Sequence, residues 1–113
     1  MDLVSVQSHI KANQYLSETV AQLEKDFLMI GVNFDIQKPV TDYKALFTFT
    51  NNLVNSLNNQ DPKRILNLLY RIDLSGEIVQ KQMKETDLTF TEMLSELIVK
   101  REIYKIIVRK NIS

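Results

Sequence analysis

Leu88 to Ile112 reads LTFTEMLSELIVKREIYKIIVRKNI, and this stretch decides the fold class. Thr89 and Glu92 have the spacing of a capping box, in which the hydroxyl of the first accepts from the amide of the second and the carboxylate reaches back. A helix therefore starts here. Phe90, Met93, Leu94, Leu97, Ile98, Tyr104, Ile107 and Val108 recur at helical spacing, while Thr91, Ser95, Glu96, Glu102, Lys105 and Arg109 fall mostly elsewhere on the wheel. Neither Gly nor Pro interrupts the pattern. Glu85, Asp87, Glu92 and Glu96 lie toward its start and Lys100, Arg101, Lys105, Arg109 and Lys110 toward its end, the order that complements the helix dipole.

Upstream of this helix, the same periodicity recurs. Val6, Ile10, Leu16, Val20, Leu23, Phe27 and Ile30 predict a long amphipathic helix from about Ser5 to Ile30, closed by Gly31. Phe34 and Ile36 alternate with polar residues before Pro39, but a lone strand has no partner, so 32–40 is read as an extended crossover tucked onto the helices. Thr41 or Asp42 opens a second helix with the stripe Tyr43, Leu46, Phe47, Thr50, Leu53, Val54 and Leu57. Its asparagine-rich end predicts early fraying. Asp61-Pro62 reads as cap and first residue of a third helix reaching about Ile72. Leu66 and Tyr70 widen its apolar surface, which suggests a central position. Ser75 caps a fourth helix to about Lys84, with Ile78, Val79 and Met83 as its inner face.

A length of 113 residues implies a single helical domain, 1–113, with one core. Two Gly, two Pro and 44% apolar residues fit an ordered globular chain. Fourteen basic residues balance fourteen acidic ones, so no overall field selects nucleic acid or an anionic membrane. No secretory leader and no membrane-length apolar run is legible, which points to a cytoplasmic location.

Catalytic chemistry finds little to use. The absence of cysteine removes thiol nucleophiles and thiolate metal sites, and His9 is the lone histidine, with no acid nearer in sequence than Asp2. No Glu-x-x-His, phosphate loop, G-x-S-x-G or H-E-x-x-H occurs, and Asp73 to Glu77 lacks the pattern of a calcium loop. No cofactor or metal is expected. Arg101, Lys105 and Arg109 stand one turn apart and form a ridge able to touch successive phosphates, although the helix dipole alone accounts for cations at this end. Arg71 and Asp73 suggest a polar contact that orients the 73–77 turn. Tyr15, Tyr43, Tyr70 and Tyr104, on four predicted helices, are candidates for lining a ligand pocket.

Apolar residues off the main stripes carry the leading functional expectation. Leu28, Met29, Phe49, Leu66, Ile103, Ile106 and Ile112 exceed what a small core needs, and exposed apolar area marks protein contact. The sequence thus predicts an all-α antiparallel bundle of four to five helices, long at the first and last. Its expected role is a non-enzymatic interaction or adaptor module that contacts a protein partner or itself as a homodimer, through Ile103, Ile106, Ile112, Phe49 and Leu66. Nucleic-acid binding through the basic last helix is the first alternative, and a small-ligand regulatory pocket the second.

Overall fold

Met93 to Val99 are buried without interruption, and a helix that shows water no face over two turns has to be surrounded. In the computed structural model, which describes residues 14–36 and 40–112, five helices achieve this: α1 (Leu16–Met29), α2 (Tyr43–Gln60), α3 (Pro62–Arg71), α4 (Gly76–Glu85) and α5 (Phe90–Ile112). No strand occurs among the described residues. The central helix is α5, packed by α1, α2 and α4, while α3 rests on α1 and α2. This corrects the central place expected for the third helix. Ten residues of α3 bury only Ile65, Leu68 and Leu69, so Leu66 and Tyr70 are left outside.

Leu23 and Phe27 of α1, Leu46 and Val54 of α2, Leu68 of α3 and Met93, Leu94 and Ile98 of α5 form the centre of the core. Each such side chain contributes about 1.5–3 kcal/mol by leaving water. Phe34 on the 32–36 segment is buried with its ring 5.1 Å from that of Phe27 and 4.8 Å, edge-on, from that of Phe49. The crossover is therefore tucked in as its alternation suggested.

Local signals set most of the boundaries. The capping box closes as read: Glu92 N donates to Thr89 Oγ1 at 3.3 Å and Thr89 N to Glu92 Oε1 at 3.0 Å. Asp42 Oδ1 caps α2 by accepting from Ala45 N, and Ser75 Oγ caps α4 by accepting from Ile78 N. Both α1 and α3 end in the six-to-one and five-to-two backbone bonds of a Schellman turn. Val32 N donates to Phe27 O and Gly31 N to Leu28 O, and Leu74 N donates to Leu69 O and Asp73 N to Tyr70 O. The left-handed residue is Gly31 in one turn (φ 82°) and Asp73 in the other (φ 64°).

Several expected details differ. The asparagine-rich end of α2 stays helical to Gln60, because buried Leu57 anchors it and Asp61 N donates to Leu57 O. Asp61 makes no cap; its carboxylate takes Arg64 Nε instead. Ile78 and Met83 are exposed and only Val79 of that trio packs on the core, since α4 buries no residue fully. The described first helix begins at Leu16, and the part expected from Ser5, with His9, lies outside the described residues.

Candidate functional site

Three helices meet at charges rather than at a purely apolar seam. Asp26 of α1 lies on the same side as Leu23 and Phe27, and Glu102 of α5 lies beside Val99, Ile103 and Ile106, so packing the two apolar faces carries both acids inside. The Asp26 side chain is 3% exposed and that of Glu102 0%. Arg71, at the last turn of α3, donates from Nε to Asp26 Oδ1 at 2.9 Å. Gln22 Nε2 donates to Asp26 Oδ2 at 3.0 Å, one turn earlier on α1. Lys105 Nζ reaches the same oxygen at 3.5 Å and stands 3.1 Å from Glu102 Oε1. At the rim, Arg109 Nη2 donates to Gln22 Oε1 at 2.9 Å.

Two acids this close, away from water, do not both ionise cheaply. Burial first, and then the hydrogen bond and negative charge of Asp26, raise the Glu102 pKa to about 8 against the pull of Lys105. For Asp26 burial also opposes ionisation, but bonds from Glu102 and Gln22, the Lys105 charge and the Arg71 bond outweigh it and lower the pKa to about 2. Burial and the neighbouring Asp26 charge thus favour the acid form of Glu102, while the cationic and amide partners of Asp26 favour its carboxylate. As a carboxylate Glu102 finds no aligned donor for either oxygen; as an acid it has a use for its proton. Removing Asp26 would leave Arg71 and Lys105 without their buried counter-charge.

The phosphate ridge read from the sequence is built into the fold. Lys105 serves Asp26 and Glu102, Arg101 Nε donates to Ile72 O at 2.9 Å with Asp73 Oδ2 3.7 Å from its Nη2, and Arg109 holds Gln22. Arg71 and Asp73 do make polar contacts, though with two different helices, α1 and α5. Lys110, at the end of the same helix, pairs with Glu18 of α1 at 2.8 Å.

Of the residues expected on an apolar contact face, Ile103 and Ile106 lie in the core, 4% and 1% exposed. That corrects the exposed second edge expected for the last helix: α1, α2 and α4 pack around α5, and Lys105 on the same turns reaches Asp26 of α1. Phe49 is half-buried against Phe34. The side chain of Ile112 lies outside the described residues. Of the four whose side chains are described, Leu66 alone is largely exposed, at 66%, and one turn on Tyr70 is 89% exposed. Leu28 and Met29 at the end of α1 are exposed too. Arg64 ties that end to α3 by donating to Gly31 O at 2.6 Å.

Asp26 and Glu102 went unread in the sequence because each stands beside the apolar stripe of its helix, Asp26 next to Phe27 and Glu102 next to Ile103, and carboxylates are almost never buried unless paired. Among the described residues no cluster of three or more His, Cys, Asp or Glu could hold a metal ion, and no helix is long and apolar enough to cross a membrane. Comparison of the chain with known protein families, with characterised proteins and with solved structures gives no match.

Proposed function

We propose that the chain is a non-enzymatic protein-contact module acting in the cytoplasm, whose docking face is the outer side of α3 and which self-associates through it. The observation that carries this is the pair Leu66 and Tyr70, neighbours on one helix face and both largely exposed. Large apolar side chains side by side in water favour a partner, and a two-fold pairing of the same face on two copies is the simplest cover. Leu28 and Met29, next to the Arg64 anchor, extend the candidate area toward the end of α1. Within this reading the helices form one antiparallel bundle, for which the single residue Asp61 between α2 and α3 gives support. Catalysis is set aside because Glu102, the acid with the most displaced pKa, is sealed from any substrate.

Nucleic-acid binding has less support, since Arg101, Lys105 and Arg109 each hold an internal partner. A tyrosine-lined pocket also has less, because Tyr43 is in the core while Tyr70 faces solvent, so the two do not share a cavity. Light scattering on a size-exclusion peak over a concentration series is the test. A mass that rises toward a dimer, and falls back to a monomer in Leu66→Lys/Tyr70→Lys with helix content kept, is the expected result. A strict monomer throughout, with no partner retained from lysate, would sink the proposal.

A further inference from the structure

Asp26, Glu102, Lys105 and Arg71 join α1, α5 and α3 through side chains in a single cluster. We propose that this cluster is a proton-operated latch: with one proton on the carboxyl pair, α1 is held against α5, and loss of that proton in mildly alkaline solution releases α1.

The latch follows from geometry. Glu102 is fully enclosed, neither of its oxygens has an aligned donor, and the cation nearest it, Lys105 at 3.1 Å, is shared with Asp26, so its surroundings favour the acid form. The charged groups that act on it are Asp26 from α1 and Lys105 from its own helix, with Arg71 of α3 behind Asp26 and Arg109 held off at Gln22. Neither α2 nor α4 adds a charge to that set. Lys105 is already shared with Asp26 at 3.5 Å, so a second carboxylate gains half a cation and no water. The relief available is to move α1 away, because Asp26 is the one acid in the cluster that a different helix carries.

The raised carboxyl fixes the sign. A folded pKa of about 8 against an ordinary value of 4.5 means that the closed state holds a proton the open state lacks between those limits. The stabilisation is whole below pH 4.5, declines as pH rises, and is gone above about 8. Within that window the ratio of open to closed α1 grows by up to about tenfold per pH unit.

Amide hydrogen exchange on the intact chain between pH 5 and 9, corrected for the intrinsic pH dependence of exchange, reads this out. Protection of Leu16–Met29 should fall with pH in the wild type while α2 amides lose less, and Glu102→Gln, which donates without titrating, should keep α1 protection flat. A wild type as flat as Glu102→Gln, or parallel losses in α1 and α2, overturns the latch. Should Glu102→Gln not fold, the side-chain carboxyl carbons of the wild type labelled with ¹³C-glutamate decide. One carboxyl titrating near 8 supports the latch, and all titrating near 4.5 overturn it.

Discussion

Gly31 and Asp73 do the same job with different chemistry. Both hold the left-handed residue of a Schellman turn, a conformation free to glycine and costing other residues about 1–2 kcal/mol. Replacing Gly31 by Ala should destabilise by about that amount, because a Cβ there also meets Arg64 Nη1 at 3.0 Å. Asp73→Gly should do the reverse and raise stability by up to about 1 kcal/mol, as its exposed 3.7 Å pairing with Arg101 is worth little. Chemical denaturation of the two variants measures both. Asp26 sits at the other extreme. Asp26→Asn leaves Arg71 and Lys105 facing a neutral amide, a break expected to cost about 3–5 kcal/mol. Because its pKa is lowered to about 2, the stability Asp26 supplies is present above pH 3.8 and disappears as pH falls through about 2. An acid titration of unfolding should therefore show wild type losing its advantage over Asp26→Asn across that range.

At the scale of the element, what could be read depended on how local the cause was. Caps were legible because they act within three residues: Thr89 with Glu92, Ser75 with Ile78, Asp42 with Ala45. Thr89→Ala should cost α5 about 1 kcal/mol, read in the melting temperature, by removing the acceptor for the Glu92 amide. Gly31 as a helix end and Phe34 as a buried residue of the crossover were legible for the same kind of reason. Burial of the second faces was not. The wheel of α5 gives Ile103 and Ile106 as surplus apolar surface, and only the packing of the other helices around α5 makes them core. Conversely Leu66 and Tyr70 look like a second buried face of α3 until the helix is seen to pack mainly on α1 and α2. Asp61 is instructive as well, since the favourable pair it forms with Arg64 at 2.9 Å competes with the cap its position suggests.

For the whole molecule, balanced charge and the absence of cysteine narrowed the chemistry without naming a function. The sequence pointed to contact through apolar surplus, and the fold moves that surplus from the last helix to the outer side of α3. The basic turns of α5, the other candidate, are engaged within the chain: Lys105 and Arg109 pair with α1 and Arg101 with the turn after α3. Charge on α5 thus serves assembly of the fold, and on the proposed reading the apolar exposure of α3 is the surface that would meet another protein. Changing Arg101 and Arg109 together to Gln should accordingly lower stability while leaving self-association of the folded fraction intact, as thermal melts and light scattering on the same samples would report.

The most direct measurement of that division is a methyl-resolved spectrum of the wild-type chain as its concentration is raised. Shifts are predicted at Leu66, with the ring of Tyr70 moving alongside, while Ile103 and Ile106, enclosed in the core, stay where they are. Shifts centred on the basic turns of α5, or no change at Leu66 at any concentration or with any added partner, would contradict the account.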